Sequence, residues 1–278
     1  MKKKITFKSI AIQISLIFWA VIIIFPLLWI FVTSLKTNKE ILTMPWNMPE
    51  SFQFVNYVNA WQSANISQYF INSIFVTGLS IVLILALTSS SSYVIARFKY
   101  KVLSVLETIY VSCIFVPAMF SIIPSFLLAK NLGILNSRLG LVIFYSMIAF
   151  APGIMILVGF YKTLPTELSE AAKIDGANQF TIYAKIMSPL AKSGLVAVAT
   201  LNFLSIWNEY IYALIFVTDP KKLTIPVGLV NLMEVSRYRT DWGALFAGLI
   251  IAMIPTFIMY CVGQKQIVSG LTQGAVKG

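Results

Sequence analysis

The chain predicts an all-α fold, a polytopic membrane protein with six transmembrane helices, and three observations carry that prediction. Of its 278 residues, 58% are hydrophobic and only 11% charged, giving a mean hydropathy of +0.84, outside the range of soluble globular domains. Six apolar runs are long enough to cross a hydrocarbon core of about 30 Å, which takes roughly 20 helical residues. The Lys and Arg residues are denser in alternate connections, as they are when one side of a membrane retains positive charge.

The runs cover residues 10–33, 70–96, 103–128, 139–161, 194–217 and 242–263, and they make residues 1–278 a single transmembrane domain. The opening Met1-Lys2-Lys3-Lys4 imitates a secretory signal. The apolar run behind it exceeds the roughly 7–15 residues of a signal core and no small-residue cleavage site follows, so it is expected to stay as the first helix. With the N-terminus inside, thirteen of the 21 Lys and Arg, among them Lys2, Arg97, Lys162, Lys173 and Lys265, fall on the cytoplasmic side. Eight, including Lys36, Arg138 and Lys221, fall outside. That bias predicts a multi-pass protein of a cytoplasmic membrane with both termini cytoplasmic, and it accounts for the pI of about 9.6 without a nucleic-acid partner.

Between the first two runs, residues 34–69 hold Trp46, Phe52, Phe54, Tyr57 and Trp61, amphipathic aromatics suited to an interfacial helix or loop beside membrane lipid. Pro26, Pro117, Pro124, Pro152 and Pro255 interrupt the runs, and each frees a carbonyl and bends its helix, which favours an irregular bundle. In the second run, Thr88-Ser89-Ser90-Ser91-Ser92-Tyr93 sets small hydroxyl side chains in a row, better suited to close helix packing than to a solute site. Glu107 lies only a few residues into the third run and can reach the surface. Glu209 lies near the middle of the fifth, where a carboxylate demands a polar partner or water. It is either an interhelical clasp or part of a solute path or gate, together with Trp207, Asn208 and Tyr212.

Residues 163–192 form the longest polar interruption in the second half of the chain. Thr166 is placed as an N-cap, with Glu167 and Glu170 in the first turn where the helix dipole favours negative charge. Leu168, Ala171 and Ala172 share a face, and Gly176 is placed to end the helix in a left-handed conformation. A second segment over residues 178–188, with Phe180, Tyr183, Ala184 and Met187 at helical spacing, is expected to stop before Pro189. This cytoplasmic hairpin is too short to build its own core, so it packs either on a partner or under its own bundle.

Several functions are excluded by composition. Histidine is absent, which removes imidazole bases and the usual imidazole metal sites. Cys113 and Cys261 both lie inside apolar runs and make neither a disulfide framework nor a thiolate cluster. No phosphate-binding G-x-x-x-x-G-K-[ST] loop is present, so no catalytic, metal or cofactor site is expected and the chain is not expected to be an enzyme.

The hairpin sequence EAAKIDGANQFTIYAKIMSP, from Glu170 to Pro189, resembles the EAA loop of ABC-importer permeases, with Ser188 where the general pattern has leucine. Further matches cover nearly the whole chain: NYVNAWQ with FINSIFVT, WNEYIYAL, Asp241-Trp242 and the tail QKQIVSGLTQGAVKG resemble the smaller inner-membrane permease of maltose-type carbohydrate ABC importers. The resemblance implies an ABC-importer permease fold and import of an oligosaccharide or related sugar. It implies as partners a second homologous permease, two ATPase subunits that bind ATP and Mg, and an extracytoplasmic sugar-binding protein. It assigns ATPase coupling to Glu167, Glu170, Ala171, Ala172, Asp175, Gly176 and Pro189. The 264–278 tail, with Gly274, Lys277 and Gly278, would contact the ATPase pair, and the external 218–241 loop would face the binding protein. A midplane carboxylate and broken helices also suit an ion- or proton-coupled secondary transporter, which would need no ATPase.

Overall fold

A computed structural model describes residues 7–239 and 241–275, and its regular structure there is entirely helical. In chain order the helices are α1 (Phe7–Thr33), α2 (Asn38–Thr43), α3 (Val55–Gln62), α4 (Ile66–Arg97), α5 (Lys101–Ile114), α6 (Ala118–Asn131) and α7 (Arg138–Thr163). They continue as α8 (Glu167–Ile174), α9 (Gln179–Ile182), a π turn (Tyr183–Met187), α10 (Ser188–Leu190), α11 (Lys192–Trp207) and α12 (Ile211–Phe216). A 3₁₀ turn (Pro220–Lys222), α13 (Ile225–Arg239) and α14 (Trp242–Ala275) complete the order.

Helices α1, α4, α7 and α14 are each long and apolar enough to cross a membrane alone, matching four of the six expected runs. The other two are not continuous helices. The run expected over 103–128 is two helices, α5 and α6, bent by 109°. Pro117 has no N–H to continue the ladder and disfavours helical backbone at Val116, so the chain ends α5 with short bonds from Phe115 to the Ser112 carbonyl and from Val116 to the Cys113 carbonyl. The run expected over 194–217 is broken after Trp207 and resumes at Ile211. Mean hydropathy registers neither break, because it counts apolar side chains and not the direction of the axis.

The chain divides into two compact units, residues 1–67 with 229–254 and residues 68–228 with 255–278. In the first, none of the residues in the apolar window of α1 is buried, as suits a helix facing lipid. The connection after it is tightly built. Thr37 and Glu40 close a capping box, the Thr37 hydroxyl oxygen accepting from the Glu40 N–H while the Glu40 carboxylate accepts from the Thr37 N–H. The Glu50 N–H also donates to that carboxylate, and with the Thr37 donors it holds the Glu40 carboxyl below the usual carboxylate range. Lys36, counted among the eight basic residues outside, is only 1% exposed and donates to the Met44 and Pro45 carbonyls. A buried ammonium requires such acceptors. Asn56 ties the same turn together by donating to the Ser34 and Lys36 carbonyls.

The second unit is organised around α7, which packs against α5 and α11 and has buried residues along most of its length. Gly153, next to Pro152 within α7, lies so close to Thr88 of α4 that a Cβ would come within 2.7 Å of the threonine methyl. The hydroxyl row on α4 is packing, as expected: Thr88 donates to the Ile84 carbonyl, and buried Ser92 to the Ile154 carbonyl of α7. Glu107 pairs with Lys162 at 2.6 Å, joining α5 to α7. At the opposite end of α7, buried Asn72 donates to the Lys221 and Leu223 carbonyls and accepts from Arg138. Asn136 accepts from the Thr218 and Asp219 N–H groups, so the chain that follows α12 is pinned from two directions. The Asp219 carboxyl lies below its usual range, chiefly because the Lys221 N–H donates to it.

Candidate functional site

Glu209 stands in the gap between α11 and α12, and the gap explains its surroundings. A helix that restarts exposes N–H groups with no partner in the preceding turn. The Glu209 carboxylate takes two of them, accepting from the Tyr212 N–H at 2.8 Å and the Ala213 N–H at 3.1 Å. Its third donor is the Tyr145 hydroxyl of α7, at 2.5 Å. The carboxylate therefore joins α7 to the start of α12 and has three donors of its own, the contacts an interhelical clasp would make.

The same residue also borders open space. A cavity of about 360 Å³ lies between α7 and α11, lined by Tyr145, Pro152, Asn202, Ser205, Glu209 and Tyr212 among others. Asn202 and Ser205 fall three residues apart on one face of α11, and Glu209 follows four residues on, just past the end of that helix. Tyr145 and Pro152 are seven apart on α7. Tyr212 closes the cavity beside α6, where its hydroxyl and that of Ser121 lie 3.0 Å apart, and its ring is 4.7 Å from Phe144. The walls are chiefly apolar with a few convergent polar groups, which is the composition of a small-molecule pocket.

Of the four residues expected at a path or gate, Glu209 and Tyr212 line this cavity and Trp207 and Asn208 do not. Trp207 is 2% exposed and packs edge-on to Phe70 and flat on Phe203, each at 5.5 Å. Asn208 bonds back to the Leu204 carbonyl. Tyr145, Asn202 and Ser205 escaped the sequence reading, although their helical spacing to Pro152 and Glu209 was there to be used.

The second candidate region is the hairpin. Its first helix, α8, begins where expected, but Thr166 has helical backbone angles and makes no side-chain capping bond. Its carbonyl instead accepts from the Ser169 and Glu170 N–H groups. The C-terminus forms a Schellman turn: the Ala177 N–H donates to the Ala172 carbonyl and the Gly176 N–H to the Lys173 carbonyl. Gly176 has φ +81°, the left-handed conformation expected of it, and open space where a Cβ would stand. Asn178 then caps α9 by accepting from the Thr181 N–H.

The second arm does not stop before Pro189. It widens into the π turn, where the Ser188 N–H reaches back to the Tyr183 carbonyl, and Pro189 lies in the first turn of α10, where its missing N–H does no harm. Glu167, Glu170, Ala171, Asp175 and Gly176 are exposed on α8 and its turn, and Pro189 is exposed too. Ala172 is buried against its own chain. Ile182 and Met187 are completely buried, whereas Ile174 is 87% exposed and Phe180 75%, so the end of the hairpin near its turn is left uncovered. Gly274 falls within α14, whereas Lys277 and Gly278 lie outside the described residues. Among the described residues no three His, Cys, Asp or Glu side chains are grouped as metal ligands.

Known proteins share this architecture. Residues 96–267 match the family model described as binding-protein-dependent transport system inner membrane component. The chain is 35% identical to the diacetylchitobiose uptake system permease protein NgcG of Streptomyces coelicolor, over 94% of this chain and 87% of that one. It is 32% identical to the probable starch degradation products transport system permease protein AmyC of Thermoanaerobacterium thermosulfurigenes, over 92% and 94%. Its fold is that of a chain in the crystal structure of a bacterial ABC transporter involved in the import of the acidic polysaccharide alginate, with a TM-score of 0.83 at 23% identity over 95% of this chain and 98% of that one. The chain belongs to the family of binding-protein-dependent transport system inner membrane components, and is thus a membrane-embedded subunit of a transporter and not an enzyme.

Proposed function

We propose that this chain is a permease subunit of an ATP-driven importer that moves an oligosaccharide or related sugar across a bacterial cytoplasmic membrane. Two of its relatives, NgcG and AmyC, are named for diacetylchitobiose uptake and for transport of starch degradation products, which supports the sugar class. ATP and Mg belong to two partner ATPase subunits. A second homologous permease pairs with this one, and an extracytoplasmic sugar-binding protein delivers the solute to the 218–241 segment. Both termini lie in the cytoplasm, where Gly274, Lys277 and Gly278 meet the ATPase pair.

The observation that carries this reading is the uncovered hairpin. Glu167, Glu170, Ala171, Asp175 and Gly176 form an exposed helix end that a cleft on an ATPase can hold, with exposed Pro189 on the second arm and Ala172 buried against its own chain. Closure of the ATPase pair then rocks the two permeases and opens the Glu209–Tyr212 cavity to one side at a time. An ion-coupled secondary carrier has no use for such a surface.

The test is retention of the ATPase by a tagged permease pair. The Cβ of Gly176→Leu would have no described atom within 4 Å, but the substitution forces a branched side chain into left-handed backbone, at a cost on the order of 1 kcal/mol or more, and places bulk on the docking face. It should leave the spans inserted while ATPase retention and stimulated hydrolysis are lost, with Gly176→Ala milder. Normal retention and uptake for the leucine variant would remove the hairpin from the coupling route. Thiol labelling of Lys173→Cys from the cytoplasm and of Lys221→Cys from outside checks the orientation, and the reverse pattern overturns it.

A further inference from the structure

A buried group of hydroxyls links the hairpin to the membrane helices. Tyr183, the first residue of the π turn, donates its hydroxyl to Ser89 of α4 at 3.0 Å. Ser89 is 2.8 Å from the Tyr161 hydroxyl on the last turns of α7. Ser89 and Tyr161 are both buried, Tyr161 completely. The Tyr93 ring lies 5.3 Å from that of Tyr183 and 5.7 Å from that of Tyr161, sealing the group from the side. Beside it, Arg97 at the end of α4 donates to the Leu164 carbonyl at 2.8 Å and contacts the Met187 sulfur at 3.6 Å.

The sequence offers no reason for a serine of the α4 hydroxyl row to differ from its neighbours, but the structure does. Thr88 and Ser90 bond back to their own helix, whereas Ser89 spends its bonds on α7 and on the hairpin. The π turn is what brings this contact about. Its extra residue per turn accommodates Pro189, and Tyr183 heads the widened turn whose last residue, Met187, is completely buried. The Schellman turn at Gly176 leaves α8 and α9 only a few residues apart, so α8 cannot shift far without carrying the π turn along.

We propose that the Ser89–Tyr161–Tyr183 hydroxyl group is the joint that transmits a displacement of α8 to α4 and α7, and hence to the cavity whose wall α7 forms. Tyr183 is a positioning residue in this scheme: it touches neither solute nor ATPase. The inference rests on the coupling role assigned to the hairpin above. A buried polar joint suits the task because its bonds are directional and unmade bonds are costly, so the three helices move together or the joint breaks at a definite cost.

The experiment uses the assembled transporter in nanodiscs, in a Cys113→Ser, Cys261→Ser background with Ser205→Cys as a reporter in the cavity. A membrane-impermeant thiol reagent is applied without nucleotide and with ATP plus vanadate, and the ratio of the two labelling rates reports how far nucleotide reshapes the cavity. Tyr183→Phe keeps the ring and deletes only the hydroxyl. It should move the ratio toward unity by about three- to tenfold, the effect of one buried hydrogen bond on a two-state equilibrium, with ATPase retention unchanged. Ser89→Ala removes this bond and the contact with Tyr161 as well, so it should move the ratio at least as far, and the double variant should be no worse than Ser89→Ala alone, because the Tyr183 bond is already gone in it. A parental ratio in Tyr183→Phe, or losses that add in the double variant, would overturn the joint. So would loss of the ATPase from Tyr183→Phe, which would make the hydroxyl a docking element. A parent complex that retains no ATPase would instead bring down the functional reading beneath it.

Discussion

Of the two broken helices, the run over 103–128 is expected to bend at its prolines and the run over 194–217 carries no such signal, and the two break for opposite reasons. At Phe115–Pro117 the cause lies in the chain itself: a proline withdraws a donor and turns its predecessor out of helical backbone. The flanking Phe115 and Phe120 are 81% and 77% exposed, so these two side chains do little to hold the turn. At Asn208–Tyr210 there is no proline and no glycine. The interruption is held by a carboxylate that replaces the lost helical acceptors for Tyr212 and Ala213 and binds Tyr145 across to α7. The first break is a property of local backbone chemistry, and the second is a property of tertiary contact. The second lies beside a cavity with convergent polar groups, where a change in helix packing can be felt by a solute.

The largest expected effect comes from removing the tertiary support. Glu209→Leu strands the Tyr145 hydroxyl and two N–H groups, each worth about 1–3 kcal/mol when left without an acceptor, so the detergent-solubilised protein should melt well below the parent. Glu209→Gln should fall between them, since its amide retains one acceptor oxygen. Melting of the leucine variant at the parental temperature would mean that the break needs no carboxylate.

Tyr145→Phe removes one donor of three and leaves the carboxylate on its two N–H groups. A loss of about 1.5–3 kcal/mol, the range for a bond to a charged acceptor, is expected in the same measurement. If its loss equals that of Glu209→Leu, the cap on α12 contributes nothing and the interhelical bond is the whole effect.

Pro117→Ala should have the smallest effect on stability, within about 1 kcal/mol, because the side chains of Phe115 and Phe120 on either side of it lie exposed. Its signature is geometric. Spin labels at Ser104 and Leu127 should lie roughly 20 Å apart across the present bend and move toward roughly 35 Å as the two helices join into one, by the helical rise per residue. An unchanged separation would show that packing, and not the proline, imposes this bend, and would make the two breaks alike.

Much of the hairpin was legible beforehand. Gly176 adopts the left-handed turn expected of it, and α8 begins at Glu167, because both depend on neighbours within a few residues along the chain. The fate of Pro189 was misjudged, since a π turn upstream can absorb a missing donor and no local signal announces one. At the cavity, Glu209 stood out by its cost in a membrane, but its partner Tyr145 looked like any other aromatic of an apolar run.

By itself the sequence determined that the chain is helical and embedded in a membrane, approximately where its apolar runs lie, and that a glycine-hinged hairpin interrupts them. Those properties follow from transfer free energies and from backbone conformations that each residue carries wherever it is placed. Tertiary structure alone decided that Trp207 packs inward while Glu209 and Tyr212 meet Asn202 and Ser205 at a cavity, that Lys36 is buried, and that one serine of a uniform row joins the hairpin to α4 and α7. Each of these depends on which polar group is satisfied by which partner, in most cases on another helix, and hydropathy and spacing along one helix carry no information about that pairing.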